Sequence, residues 1–373
     1  MNMIEAQGLS KTYRTRVKGE GLAASARALF HPEYRDVMAV QSIDLAVQPG
    51  EIVAFIGPNG AGKSTTIKMM TGILHPNNGS IRVLGLDPVR ERSRLSYHIG
   101  TVFGQKSQLW FHLPPTDSFT LLGRIYDVEP GVLKKRVAIL AERFDLGALL
   151  DVPVRKMSLG QRIRCEVAAS LLHEPEILFL DEPTIGLDVV VKQTIRELIR
   201  ELNQEKGTTI FLTSHDAGDV EQVCRRAVVI DHGRIVLDQP VKRLKYDYLN
   251  RKIIAVRFSQ NHDLKPLPGV TVLKTGGLGS RLTVDTRIRP IGDVMSWLVG
   301  SGAVADITVE DPPMEEIIAA IFSSRDDCKQ RDPGNDAPSE ASSEASSEAS
   351  IDVSMEVGGR ADLPLDNPGE GGE

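Results

Sequence analysis

Cysteine is scarce in this chain of 373 residues, which contains only three of them. Cys165, Cys224 and Cys328 lie far apart and form neither a CxxC pair nor a cluster with histidine. This spacing excludes a disulfide-stapled scaffold and a zinc-ribbon type of site. We therefore expect Cys165 and Cys224 to be buried as small apolar side chains.

Long apolar runs are also lacking, although 41% of the residues are hydrophobic. No stretch reaches the roughly 18 consecutive apolar residues of a membrane-spanning helix. The first residues, MNMIEAQGLSK, lack the basic and apolar regions of a signal peptide. The composition is typical of a soluble globular protein, and we expect the chain to stay in the cytosol.

Positive charge is not concentrated in any stripe. The net charge of −6 comes from the last part of the chain, because residues 325–373 carry 13 acidic and only 4 basic side chains. The rest of the sequence is close to neutral. Since nucleic-acid-binding proteins usually show a basic patch, no nucleic-acid partner is expected.

The sequence does contain a regular alternation of short β-branched runs and helical stretches over residues 1–240, which predicts an α/β domain with a largely parallel sheet. Residues 241–323 read as a small α+β accessory domain, with strands such as KIIAVRFS and a last helix at MEEIIAAIFSS. Residues 324–373 include SEASSEASSEAS and are poor in apolar side chains, so a disordered acidic tail is predicted there.

A phosphate-binding pattern lies between a predicted strand and a predicted helix. GPNGAGKST fits G-x-x-x-x-G-K-[ST], whose glycines let successive amides and the positive helix end face a phosphate chain. Lys63 would reach the β- and γ-phosphates, Ser64 would offer its hydroxyl to Mg²⁺, and Thr65 would donate near the α-phosphate. The predicted nucleotide-binding residues are Gly57, Pro58, Asn59, Gly60, Ala61, Gly62, Lys63, Ser64 and Thr65. A nucleoside triphosphate is therefore the predicted ligand.

Two carboxylates follow the apolar run ILFL. Adjacent side chains at a strand end point to opposite sides, so we expect different tasks for Asp181 and Glu182. Asp181 suits the magnesium shell, and Glu182 suits a water lined up on the γ-phosphate. An acidic turn without function is the alternative, which the upstream P-loop disfavours. His215 follows another apolar run, TIFLTS, and is expected at the same sheet edge near the γ-phosphate.

The stretch KMSLGQRIR, residues 156–164, has two interpretations. Ser158 and Gln161 form S-x-x-Q, the capping box that satisfies free amides in the first turn of a helix. Many helices begin in this way without any function. The local pattern alone does not decide between an ordinary helix start and one half of an active site.

These motifs, in this order, resemble the nucleotide-binding subunits of ATP-binding cassette (ABC) transporters over about residues 1–240. The resemblance implies a P-loop NTPase fold with a helical subdomain, and ATP and Mg²⁺ as ligands. The matching motifs are Tyr13 as an adenine-stacking aromatic, GPNGAGKST as Walker A, Gln105 as the Q-loop glutamine, SLGQ as the signature, ILFLDE as Walker B, Asp188 in GLD as the D-loop, and His215 as the switch histidine. Glu182, His215 and Lys63 would be catalytic, and Ser64, Gln105 and Asp181 would hold the metal.

In that family two cassettes pair head to tail, and each ATP lies between the Walker A of one copy and the signature of the other. The resemblance therefore implies that Ser158, Leu159, Gly160 and Gln161 complete the site of a second, identical or homologous chain. Leu159 replaces the first glycine of the family's common LSGGQ signature. If its side chain points away from the nucleotide, the hydroxyl, amides and helix dipole stay usable. A degenerate, slow site is the alternative.

The sequence of the signature and Walker B region also resembles the cassettes of ABC-2-type exporters, including those related to drug-export and viologen-resistance systems. An insertion at about residues 14–37, with Leu22, Ala26, Leu29 and Phe30 at helical spacing, agrees with that group and could be a surface excursion or a membrane contact. Gln108 is a rival to Gln105 for the Q-loop role. Trp110 and Phe111 could either fill the helical subdomain or form a groove for a membrane subunit.

The function predicted is that of an ATP-hydrolysing subunit powering export through separate ABC-2-type permease subunits. It would be cytoplasmic and peripheral on the inner face of the cell membrane. The alternative is a soluble ABC ATPase in translation, DNA repair or regulation, although translation members usually carry two cassettes and repair members long insertions. Residues 241–323 would serve dimer contact or regulation.

Overall fold

The computed structural model describes residues 1–16, 34–104, 106–214, 216–248, 250–260, 264, 267–301 and 304–329. The strands in chain order are β1 (Ile4–Arg16), β2 (Tyr34–Val47), β3 (Ile52–Ile56), β4 (Asn78–Val83), β5 (Ile99–Phe103), β6 (Ile177–Asp181), β7 (Thr209–Ser214), β8 (Arg226–Asp231), β9 (Arg234–Pro240), β10 (Arg251–Phe258), β11 (Val270–Gly276), β12 (Gly279–Asp285) and β13 (Val304–Glu310). The helices are α1 (Lys63–Met70), α2 (Arg92–Ser96), α3 (Pro115–Ile125), α4 (Pro130–Arg143), α5 (Leu159–Ser170), α6 (Val189–Lys206), α7 (Ala217–Val223), α8 (Val241–Tyr248), α9 (Ile291–Ser301) and α10 (Met314–Lys329).

A six-stranded sheet forms the centre of the first 240 residues, in the order β5-β6-β7-β3-β8-β9. Its pairs are parallel except for β8 with β9, which is the hairpin edge. β3 is buried along its whole length, as expected for a parallel strand covered on both faces. The predicted α/β architecture is confirmed.

Successive side chains of β3 point to opposite faces of the sheet and so pack into two separate layers of the core. Ile52 and Ile56 pack into the cluster that contains α5 and α6, whereas Val53 and Phe55 pack into the cluster that contains α1. The second cluster also receives the apolar side chains of a three-stranded antiparallel sheet, in the order β2-β1-β4. Cys165 and Cys224 are buried, as predicted.

The helices α3, α4 and α5 form a helical layer around buried Phe119, Leu133 and Phe144. Proline begins both α3 and α4, at a position where its missing amide costs nothing. This layer carries the signature stretch at the first turn of α5, so its packing decides where the signature lies.

A second antiparallel sheet follows, in the order β11-β12-β10-β13, with α9 packed on one face around Ile254, Leu282 and Leu298. Both ends of the predicted accessory domain pack elsewhere. Leu244 of α8 and Ile317 of α10 belong to the larger core that includes the central sheet. α10 also continues beyond the predicted domain end at residue 323, to Lys329. The predicted disordered tail from residue 330 onward lies outside the described residues.

The two ends of the predicted insertion at about residues 14–37 belong to regular strands, β1 at its start and β2 at its end. Arg14 pairs with Asp36 and Arg16 pairs with Tyr34, so β1 and β2 extend as a hairpin. The predicted apolar stripe at Leu22, Ala26, Leu29 and Phe30 lies outside the described residues. Among the residues that are described, no helix has the length and apolar character required to cross a bilayer.

Candidate functional site

The P-loop connects β3 to α1 and lies against β8 and β2. A Cβ on Gly57 would stand 2.3 Å from the carbonyl oxygen of Ile230, and one on Gly62 would stand 2.4 Å from that of Ala39. Gly62 also has a φ of 106°, a conformation that L residues rarely adopt. These two positions therefore require glycine, for close approach at both and for backbone conformation at Gly62.

Lys63 is the first residue of α1 and is only 5% exposed. Its ammonium donates to the carbonyl oxygens of Gly57 at 2.8 Å and Pro58 at 3.2 Å. Glu182 lies 3.3 Å away from the same nitrogen. The lysine is thus held inside the loop by two backbone carbonyls and one carboxylate.

Asp181 is the last residue of β6, and its carboxylate is fixed by two hydroxyl groups. Ser64 donates to it at 3.1 Å and Thr213 donates at 2.6 Å. Because β6 and β7 are adjacent and parallel, their carboxyl ends bring Asp181 and Thr213 together at the edge where α1 begins. Asp181 and Ser64, both predicted from the sequence to hold the same Mg²⁺ ion, are therefore neighbours in the structure.

Glu182 leaves the strand with a φ of 53°, and its amide donates to the Thr213 carbonyl at 3.1 Å. The sequence argument expected strand alternation to send Asp181 and Glu182 to opposite sides. That reasoning was wrong, because β6 ends at Asp181 and the turn brings both carboxylates to consecutive P-loop residues, Ser64 and Lys63. The two carboxylates still have different partners.

The other predicted nucleotide-binding residues differ in their exposure. Ala61 is buried and Thr65 is half-buried, whereas Pro58, Asn59 and Gly60 are exposed. Tyr13 lies in β1 opposite Val37, half-buried, with the Lys11 ammonium 5.6 Å from its ring centroid. β2, which pairs with this part of β1, passes over Gly62 at Ala39.

The signature stretch begins α5 with a complete capping box. The Gln161 amide donates to the Ser158 hydroxyl oxygen at 3.2 Å, and the Ser158 amide donates to the Gln161 side-chain oxygen at 2.9 Å. The predicted cap is confirmed. Ser158 is exposed, and its own hydroxyl proton stays available to a second acceptor.

Leu159 packs within its own chain, against the segment before α6. Its Cδ2 lies 3.1 Å from the place a Cβ on Gly186 would take, and Val191 comes equally close to the Cβ position of Gly160. Asp188 caps α6 by accepting from the Val191 amide at 3.0 Å. The signature and the GLD stretch therefore form one contiguous surface, on which Asp188 is exposed.

Gln105 and His215, both predicted site residues, lie outside the described residues. Their neighbours are placed: the Gly104 amide donates to the Asp181 carbonyl at 2.9 Å, and Ser214 ends β7. The rival glutamine, Gln108, donates its side-chain amide to the backbone carbonyls of Glu166 at 3.1 Å and Thr101 at 3.4 Å. Those contacts give Gln108 a structural role.

Comparison with known proteins identifies the family. The sequence profile of the ABC transporter family matches residues 40–185. The chain is 34% identical to the daunorubicin resistance ATP-binding protein DrrA3 of Streptomyces coeruleorubidus over 290 residues, 76% of this chain and 91% of that protein. It is also 34% identical to the Nod factor export ATP-binding protein I of Neorhizobium galegae over 246 residues, 65% of this chain and 70% of that one.

The chain belongs to the ABC transporter family. Its fold is similar to that of cbiO1 from Clostridium perfringens, part of the ABC transporter complex cbiONQ, with a TM-score of 0.54 and 27% identity over 66% of this chain and 91% of that one. It is an ATP-binding cassette and an ABC-type ATPase. The predicted family and fold are thereby confirmed.

This ABC cassette exposes an aromatic segment after β5. Trp110 is 41% exposed and Phe111 is 51% exposed, whereas neighbouring Leu109 is buried. The interpretation in which both rings fill the helical layer is therefore wrong. The segment is held by hydrogen bonds, because the Val154 and Arg155 amides donate to the carbonyls of Leu113 and Phe111.

Sequence reasoning missed several polar residues around the Walker B carboxylates of the cassette. Thr213, described above, is one, and Asp219 is another, buried in a cluster with Arg196. Nearby Asp216 is partly buried, which opposes its ionisation, but the hydrogen bond and charge of Lys192 outweigh burial and lower its pKa. The sequence contains no signal for this cluster, because Asp216 and Asp219 lie in the mostly polar stretch TSHDAGDVEQ.

Proposed function

We propose that this ABC ATPase powers export of a cargo through separate membrane permease subunits of the ABC-2 type. The names of the similar proteins, a daunorubicin resistance protein and a Nod factor export protein, support export. The observation that carries the ATP-hydrolysing part of the proposal is the geometry at Walker B. Glu182 stands beside the P-loop lysine, 3.3 Å from its nitrogen, where a carboxylate can activate a water next to a γ-phosphate.

Glu182→Gln tests the hydrolytic part of this proposal. Glutamine keeps the size of the side chain but cannot accept a proton from water, so kcat should fall by roughly 10²–10⁴-fold while ATP binding survives. The measurement is steady-state phosphate release by the purified full chain, together with the affinity for a fluorescent ATP analogue.

Glu197→Gln is the matched control, because it makes the same change on an exposed residue of α6 that bonds Gln193. Its kcat should stay within about twofold of the original. If Glu182→Gln also stayed within that range, Glu182 would not be the residue that activates water.

We propose Mg²⁺ as the accompanying ion. The Ser64 hydroxyl and the Asp181 carboxylate, 3.1 Å apart, are hard oxygen donors of the kind Mg²⁺ prefers, and Mg²⁺ commonly takes its other ligands from phosphates and water. Among the described residues there is no group of three or more histidine, cysteine or acidic side chains placed to hold a metal ion, so an all-protein cage is absent there. Gln105 would join this set on the basis of its place in the sequence. The ion would neutralise charge on the transferred phosphate.

We propose that two copies of the cassette, or this chain and a homologous cassette, pair head to tail around ATP. Ser158, Leu159, Gly160 and Gln161 would then face the partner's P-loop. The first turn of α5 supports this role, because an exposed helix N-terminus carries free amides and a positive dipole end suited to a phosphate. Exposed Val189 and Val190 beside Asp188 extend the same surface.

The permease would contact the exposed segment with Trp110 and Phe111, and the cassette would be held on the inner face of the membrane in this way. Leu113 and Ile125 add exposed apolar area nearby in sequence, at 43% and 53%. Exposed aromatic and aliphatic side chains of this kind are enriched at protein interfaces.

Capture of the tagged full chain from detergent-solubilised native membranes tests the permease contact. The expected result is a multi-span membrane protein in stoichiometric amount, which the double change Trp110→Ser and Phe111→Ser removes while ATPase activity remains. The changes Tyr97→Ser and Ile139→Ser, at other exposed sites, serve as the control. Recovery of ribosomes or DNA, or of no membrane protein, would contradict the transport role and favour a soluble ABC ATPase.

A further inference from the structure

A buried carboxylate, Asp219, lies close to the Walker B turn and is only 1% exposed. It accepts three hydrogen bonds from side chains: from the Thr184 hydroxyl at 2.6 Å, the Ser214 hydroxyl at 2.7 Å and Arg196 Nε at 2.7 Å. All four side chains belong to different segments of the chain. Asp219 itself lies in α7, so one carboxylate joins α7 to three other elements.

The three donors come from segments that border the site. Thr184 lies two residues after Glu182, and Ser214 ends β7 directly after Thr213. Arg196 lies in α6, the helix that Asp188 caps. Thus Asp219 links the Glu182 turn and the end of β7 to the helix that begins at the D-loop.

The contacts close a ring around Glu182. On one side, the Glu182 amide donates to the Thr213 carbonyl at 3.1 Å and to its hydroxyl at 3.0 Å. On the other side, Thr184 bonds Asp219, which bonds Ser214, the neighbour of Thr213. Glu182 has a positive φ, a conformation that costs free energy in L residues and persists only when surrounding contacts hold it.

Stability alone is a weak explanation for the buried ion pair between Arg196 and Asp219. Replacing a buried ion pair by apolar residues of similar size is often neutral or stabilising, because desolvation cancels most of the attraction. Hydrogen bonds to a buried charge are, however, strongly directional and short, so they fix the geometry of the groups that make them. A fixed position for the Glu182 turn is what such a cluster provides.

We propose that Asp219 is a positioning residue for ATP hydrolysis, which holds the Glu182 turn in register with α6 and so links the water-activating carboxylate to the D-loop helix. This inference rests on the proposed role of Glu182. In the described part of the chain the Asp219 carboxylate has its hydrogen bonds and ion pair with Thr184, Ser214 and Arg196 and none with a P-loop side chain, so it acts through Thr184 and Ser214.

The test is Asp219→Asn in the purified full chain, measured as kcat and KM for ATP and as single-turnover hydrolysis. Asparagine keeps the shape of the side chain but replaces one accepting oxygen by a donor and removes the charge that Arg196 faces. We expect kcat to fall at least tenfold, KM to change less than twofold, and the affinity for a fluorescent ATP analogue to be retained.

A double variant distinguishes a role in positioning Glu182 from a merely structural role of Asp219. If Asp219 acts through Glu182, adding Asp219→Asn to Glu182→Gln should lower the residual single-turnover rate by less than twofold, because the position of an inactive side chain no longer matters. Asp238→Asn is the matched control. It breaks another arginine–aspartate pair, to Arg226 at the β8–β9 edge, and should leave kcat within twofold.

Thr184→Val and Thr184→Ser keep the inference testable if Asp219→Asn does not fold. Valine removes the hydroxyl at nearly constant volume and should lower kcat, whereas serine keeps the hydroxyl and should restore most of it. An unchanged kcat in Asp219→Asn or in Thr184→Val, or a full additional loss in the double variant, would overturn the inference. An active Glu182→Gln would instead overturn the proposed role of Glu182.

Discussion

At the scale of single residues, two P-loop glycines differ in why they are needed. A Cβ on Gly62 would meet the Ala39 carbonyl oxygen at 2.4 Å, and the residue has a φ of 106°. Gly60 also has a positive φ, 81°, but a Cβ there would have nothing within 4 Å. The first position is limited by backbone atoms that cannot move away, and the second only by its own conformation.

We therefore expect Gly62→Ala to abolish ATP binding and to destabilise the fold strongly. Gly60→Ala should cost about 1–2 kcal/mol of unfolding free energy, the usual cost of a left-handed conformation in an L residue, and should still bind ATP. Urea unfolding and titration with a fluorescent ATP analogue measure both effects. Equal losses of binding in the two variants would contradict this distinction.

At the scale of elements, the first turn of α5 combines a structural and a proposed catalytic task in one residue. The Ser158 hydroxyl caps the helix, and in the proposed dimer it would face the partner's ATP. Substitutions that separate the two tasks exist, because aspartate caps helices about as well as serine does but adds a negative charge.

Ser158→Ala should lower the unfolding free energy by about 1 kcal/mol, with a range of 0.5–2 for such caps. Ser158→Asp should keep the stability and yet lose most ATPase activity, since its carboxylate would repel the γ-phosphate of the partner's nucleotide. Chemical denaturation and phosphate release measure the two properties. Full activity in Ser158→Asp would show that this helix end does not face a phosphate.

At the scale of the whole molecule, the surface around the start of α6 exposes two consecutive apolar side chains. Val189 is 80% exposed and Val190 is 75% exposed, next to Asp188 and close to the signature. Scattered apolar residues on a surface need no explanation, but two in succession beside Asp188 and the signature agree with an interface that forms on ATP binding.

The Glu182→Gln variant should dimerise in the presence of ATP and Mg²⁺, because slow hydrolysis preserves the closed state. Val190→Asp, added to it, should shift the population back to monomer, since the new charge would lose its water in the interface. Light scattering coupled to gel filtration gives the masses. Ala305→Asp, at an exposed position of β13, is the control and should still dimerise. A monomeric Glu182→Gln chain would contradict the head-to-tail pair.

Local sequence determined the elements of the site because their signals are short-range. The strand before GPNGAGKST, the apolar runs before Asp181 and Ser214, and the S-x-x-Q cap all appear where the pattern predicts them. Each of these depends on neighbours a few residues away, so periodicity and capping chemistry were sufficient.

Only the tertiary structure decided how those elements meet. The strand order brings β6 and β7 together, so that Thr213 bonds Asp181, and the turn at Glu182 aims its carboxylate at Lys63, against the alternation expected from a strand. Packing likewise left Trp110 exposed and joined α10 to the central core, and it brought Thr184 and Arg196, 35 and 23 residues away in the chain, onto buried Asp219. The physical reason is that such contacts join residues far apart in the chain, whose encounter depends on sheet order and packing and leaves no local pattern.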